Sequence, residues 1–102
     1  ADAIAALLPC AWSYAVLGEK LVDQGANHEA NPLKEWIELY APQMNPDTPD
    51  YNAWRFEALD RAVASLNPAQ REHVAQTFLF SLEMEWRFWE AAWQQEHWQF
   101  EF

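Results

Sequence analysis

The single cysteine of this 102-residue chain, Cys10, follows directly on Pro9 inside a run otherwise suited to a helix, Leu7-Leu8-Pro9-Cys10-Ala11-Trp12-Ser13-Tyr14. Once deprotonated, a thiol is a strong nucleophile, so this is the first place to look for covalent chemistry. At about 100° per residue, Ala3, Ala6, Leu7, Tyr14, Leu17 and Leu21 share a face with Cys10. Thiol and phenol are therefore expected one turn apart on a buried stripe. Pro9 has no N–H for the carbonyl of Ala5, which predicts a kink and a free acceptor one turn before the thiol. On these residues alone Cys10 also reads as a small core hydrophobe whose burial raises its pKa and leaves it inert.

The second chemistry-bearing residue lies near the other end. Val74, Phe78, Leu82, Glu85, Trp89 and Ala92 form one helical stripe, with Glu83, Arg87, Glu90 and Gln94 on the opposite face. A glutamate centred on an apolar stripe is costly to bury ionised, so Glu85 must be paired, hydrogen-bonded or shifted toward neutrality. Its structural alternative is a carboxylate tied to a Trp N–H or a Tyr hydroxyl. If their helices face each other, Cys10 and Glu85 make a nucleophile with a proton-transfer partner.

The elements that must position them are all helical. The first segment, about Asp2 to Asp23, is apolar on nearly every side and is expected to be buried all round, with Gly25 as its stop. Asn31-Pro32 predicts the next start, followed by Leu33, Trp36, Ile37 and Tyr40 on one face and Lys34, Glu35 and Glu38 toward water. Pro42, Asn45 and Pro46 punctuate a loop from Ala41 to Asp47, and Thr48-Pro49 predicts a third start. That helix carries Phe56, Leu59, Val63 and Leu66 inward and is expected to end near Asn67. Asn67-Pro68-Ala69-Gln70 has the pattern of a capping box, after which no breaker occurs before about Trp98. Strand alternation, Gly-rich phosphate loops, repeats and low-complexity segments are all missing from the sequence.

Composition narrows the functions. Six Lys+Arg against 16 Asp+Glu give a formal net charge of −10, which disfavours nucleic acid and anionic membrane surfaces as partners. The longest apolar run, Ala3 to Leu8, falls far short of the roughly 20 residues that span a bilayer, and no basic region precedes it. One cysteine forms no internal disulfide, in keeping with a reducing cytoplasm. No Glu-x-x-His pair is present to build a helical di-metal centre, and His28, His73 and His97 read as solvated, so no metal is expected. Seven Trp, six Phe and three Tyr are more large rings than so short a chain easily encloses. Beginning Ala1-Asp2-Ala3 without Met, already in helical register, the chain reads as one entered midway.

Ala6-Leu7-Leu8-Pro9-Cys10-x-Trp12-x-Tyr14 with Gly18-Glu19-Lys20-Leu21, then Trp36-Ile37-x-x-Tyr40, then Glu85-x-x-Phe88-Trp89, resembles the C-terminal half of the TenA family, the thiaminase II enzymes. The resemblance covers nearly the whole chain apart from the loop from Ala41 to Tyr51. It implies an all-α helical bundle like the C-terminal half of the heme-oxygenase-like fold, without heme or other cofactor, with residues 1–102 forming a partial domain. It also implies a thiamine-salvage hydrolase acting on a small-molecule aminomethyl-aminopyrimidine, and on thiamine. In that chemistry Cys10 matches the nucleophile, Glu85 the acid/base, and Tyr14 and Tyr40 the substrate-binding tyrosines. The family further implies a homotetramer and an N-terminal half that grips the aminopyrimidine. A second function of another class stands beside it: a non-catalytic helical interaction module or inactive fragment, kept for its packing surface.

Overall fold

The computed structural model describes residues 1–47 and 50–97. They form four helices, α1 (Asp2–Asp23), α2 (Lys34–Tyr40), α3 (Ala53–Val63) and α4 (Pro68–Trp93), with a short 3₁₀ turn at Pro42–Met44 and no strand among the described residues. The all-α expectation holds. No helix among the described residues is long and apolar enough to cross a membrane.

The best-signalled boundaries form as their chemistry requires. Gly25 takes a φ of 73°. The N–H of Gly25 then donates to Val22 and that of Ala26 to Leu21, both at 2.9 Å, closing the carbonyl end of α1. At the start of α4 the Asn67 side chain accepts from the Gln70 N–H at 2.8 Å and the Gln70 side chain accepts from the Asn67 N–H at 3.0 Å. This is the expected capping box, with Pro68 in the first turn.

Other boundaries differ from expectation. Asn31 does receive the Leu33 N–H at 2.9 Å, but the intervening residues form a turn and α2 begins only at Lys34. The Thr48-Pro49 start lies outside the described residues; α3 begins at Ala53 and ends at Val63, short of Asn67. Arg71 holds that end, its guanidinium donating to the carbonyls of Val63 and Ala64 at 3.2 and 2.9 Å. Helix α4 stops at Trp93 because Gln95 enters the left-handed region at φ 52°. The N–H groups of Gln95 and Glu96 then close on Ala92 and Ala91, the arrangement glycine gives to α1. Trp98, the expected end, lies outside the described residues.

Helix α1 is the element against which the other helices pack. It is continuous through Pro9, yet it is not buried all round. Its covered side is Ala5, Leu8, Pro9, Ala15 and Gly18, whereas Leu7 is 72% exposed. Of the stripe predicted to be buried, Ala3, Ala6, Leu7 and Cys10 are exposed, whereas Tyr14, Leu17 and Leu21 further along are partly covered. The reason is geometric: four helices lie in a slab only 22 Å thick, about two helix diameters, so α4 reaches this stripe only along one edge and no further layer closes over its first turns.

Candidate active site

Helix α1 brings Cys10 and Tyr14 to one side, and α4 brings Glu85 and Trp89 against them. The Ser81 hydroxyl donates to the Ala6 carbonyl at 2.6 Å, in the turn where Pro9 interrupts the backbone ladder of α1. One turn on, Glu85 lies beside Cys10. One turn further, the Tyr14 and Trp89 rings meet at 5.5 Å between centroids. All three pairs have the same 75-residue separation, so the two helices run side by side in one direction with successive turns level.

The third element is α2, whose last residue, Tyr40, sets its ring 5.0 Å from that of Tyr14. Trp36, one turn earlier, stands 5.0 Å from Tyr40, 5.9 Å from Tyr14 and 6.5 Å from Trp89. Four large rings from three helices thus form one cluster next to the thiol and the carboxylate. Close approach of α1 to α2 depends on Gly18, where a Cβ would fall 2.7 Å from the Ala41 nitrogen and 2.8 Å from the Tyr40 carbonyl carbon.

The electrostatics follow from these neighbours. Cys10 is exposed as a whole, but the atoms packed around it are the largest cause of a raised thiol pKa. Glu85 raises it further, through its negative charge and by hydrogen bonding the protonated thiol. Tyr14 is likewise raised, first by partial burial and then by the charges of Cys10, Glu85 and Tyr40. Cys10 and Tyr14 therefore both resist ionisation at this place, and the thiol rests protonated beside Glu85. Such a pair can pass a proton from sulfur to oxygen when an electrophile draws the sulfur's electrons.

The four residues singled out in the sequence, Cys10, Tyr14, Tyr40 and Glu85, are thus brought to one place by α1, α2 and α4. His28, His73 and His97 are exposed, and His73 lies 3.6 Å from the Asp2 carboxylate. Residues that support the centre escaped the sequence reading: Ser81, Tyr51 and Asn52. Ser81 had a signal, being a polar residue one turn before Glu85. Asn52, 3% exposed, donates to the Ala11 carbonyl at 3.3 Å and accepts from Arg55 at 3.1 Å, tying α3 to α1.

With fold and geometry in hand, the class is defined: residues 1–95 match the TENA/THI-4/PQQC family model, and the chain belongs to that family. Among curated proteins it is 31% identical over 99 residues to an aminopyrimidine aminohydrolase of Halalkalibacterium halodurans, covering 97% of this chain and 43% of that protein. It is 30% identical over 98 residues to the aminopyrimidine aminohydrolase of Bacillus subtilis, covering 96% and 39%. A thiamine biosynthesis multifunctional protein, ThiED, of Corynebacterium glutamicum is 32% identical over 92 residues, covering 87% of this chain and 11% of that one. The chain therefore spans about two-fifths of the length of the aminohydrolases it matches. No solved structure matches it.

Proposed function

We propose that this chain carries the nucleophile and the acid/base of an aminopyrimidine hydrolase, replacing the amine of an aminomethyl-aminopyrimidine by hydroxyl. The observation that supports it is the meeting of Cys10 and Glu85 across level turns of α1 and α4, in a chain similar to proteins named aminopyrimidine aminohydrolase.

One acid/base, Glu85, carrying one proton at a time, accounts for the cycle. As Cys10 Sγ bonds to a pyrimidine ring carbon, its proton passes to Glu85 and the displaced ring electron pair settles on a ring nitrogen. That pair returns to form an exocyclic methylene and expels the amine, which takes the proton from Glu85 and leaves as ammonia. Water adds to the methylene, giving a proton to Glu85 and sending the electron pair back to the ring nitrogen. The carbon–sulfur bond then breaks, and the thiolate recovers the proton from Glu85. Water enters, ammonia leaves, and thiol and carboxylate are regenerated. Tyr14 and Tyr40, with phenols beside this centre, orient the ring and do not form bonds to it.

The reading extends to a larger assembly. We take the chain to work with further polypeptide that completes the pocket and grips the aminopyrimidine, in a homo-oligomer. The broad apolar exposure on α4, with Leu79, Phe80, Trp86 and Trp93 all more than half exposed, favours that view. The same observation favours the alternative of a non-catalytic packing module.

Glu85→Gln separates them. With the amine substrate the leaving group needs a proton, whereas the thiazole of thiamine departs as a neutral molecule without one. In the full protein Glu85→Gln is expected to slow ammonia release by a larger factor than thiamine cleavage. Equal losses would remove Glu85 from leaving-group protonation, and a parent protein inactive on both substrates would leave the packing module.

A further inference from the structure

The C-terminal end of α2 is held more thoroughly than a seven-residue helix requires. Its final carbonyls are distributed among dedicated donors. The Asn45 side-chain amide donates to the carbonyls of Glu38, Leu39 and Ala41 at 3.1, 3.2 and 2.8 Å. It passes over Tyr40, whose carbonyl is taken instead by the Tyr51 hydroxyl at 2.7 Å. On the opposite side the same Tyr40–Ala41 peptide presses against Gly18 of α1, where nothing larger than hydrogen fits without displacing backbone. Ala41 itself is fully buried. One peptide unit is therefore gripped from two sides, by a phenol from the segment before α3 and by a bare backbone position on α1.

A carbonyl packed under α1 is shielded from water and needs a donor from the protein, and here that donor is a side chain fixed in the segment before α3. What the grip fixes is the position of the Tyr40 ring against Tyr14, and so against the Cys10–Glu85 centre. From this geometry we infer that Tyr51 is a positioning residue: its hydroxyl, acting with Gly18, locks the Tyr40–Ala41 peptide and thereby sets the Tyr40 phenol against Tyr14 beside the Cys10–Glu85 centre. The inference rests on the proposed role of Tyr40 and adds a residue that never touches the substrate.

Two measurements on the full protein test it. In 19F NMR of fluorotyrosine-labelled protein, with the Tyr40 signal assigned by Tyr40→Phe, the Tyr51→Phe substitution should move that signal. Turnover of the aminopyrimidine should fall about three- to tenfold in kcat, the scale of a small misplacement. The same change made in a Tyr40→Phe background should cost nothing further, because Tyr51 acts only through Tyr40. Gly18→Ala, which leaves the Tyr51 hydroxyl in place, should move the same Tyr40 signal. An unmoved Tyr40 signal in Tyr51→Phe, or a loss of kcat that adds in full to that of Tyr40→Phe, would overturn the inference. Unimpaired turnover in Tyr40→Phe would instead overturn the role given to Tyr40, and with it the catalytic consequence of the grip, while the NMR shift still reports whether Tyr51 holds that peptide.

Discussion

The Ser81 hydroxyl reaches the Ala6 carbonyl at 2.6 Å, and each of these residues stands one helical turn before its partner in the site, Ser81 before Glu85 and Ala6 before Cys10. This bond sets the register of α4 on α1. Because the separation is repeated at Cys10–Glu85 and Tyr14–Trp89, a slip of one residue at Ser81 would rotate the carboxylate away from the thiol.

Ser81→Ala should therefore cost about 0.5–1.5 kcal/mol of stability, the usual net worth of such a bond. It should also lower turnover without changing the residues that perform it. Denaturant unfolding and kcat on the same protein check both. An unchanged kcat would show that packing of α1 and α4 alone fixes the register.

The raised pKa of Cys10 gives a pH signature. Alkylation by iodoacetamide follows the thiolate, so its rate in the folded protein should rise with a midpoint above that of an ordinary thiol. Glu85→Gln removes the negative charge that contributes to the rise and should lower the midpoint part of the way toward the ordinary value. For stability the sign is fixed by linkage: a folded pKa above the unfolded one favours folding while the thiol is protonated. That contribution is complete below the unfolded pKa and is lost as pH climbs through the folded one, on the alkaline side. A midpoint at the ordinary value, unmoved by Glu85→Gln, would contradict the proximity of the two groups.

The exposed side chains make a third prediction. Trp93 is 82% exposed and Leu7 72%, and Trp12, Leu79, Phe80, Trp86 and Phe88 are exposed on the same two helices. Apolar exposure on this scale favours association over a soluble monomer. By sedimentation velocity the isolated 102-residue chain should self-associate, and its thermal transition should be broad. A monodisperse monomer with a sharp melt would show that the slab satisfies itself.

Much of this was legible in the sequence, for identifiable reasons. Asn67, Pro68 and Gln70 specify a helix start through side-chain chemistry alone, and Gly25 specifies a stop because it tolerates a positive φ. Gln95 does the same work as Gly25 without any compositional sign, so α4 was expected to run on. Periodicity placed Cys10 with Tyr14 and centred Glu85 on its stripe, but it could not say which side of α1 would be covered. An all-apolar helix implies burial only if enough chain is present to bury it, and here one face stays open. Tyr51 and Gly18 were invisible as supports of Tyr40 because their roles exist only once α1, α2 and the segment before α3 meet.

The central claim is that Cys10 performs the chemistry, and the most direct measurement is turnover of the aminomethyl-aminopyrimidine by the Cys10→Ala variant of the full protein, with substrate affinity determined alongside. The substitution removes the nucleophile and little volume. Ammonia release should fall on the order of a thousandfold or more, while Kd and Tm stay close to those of the parent. Turnover retained within about tenfold of the parent, at unchanged affinity, would contradict covalent catalysis through this thiol.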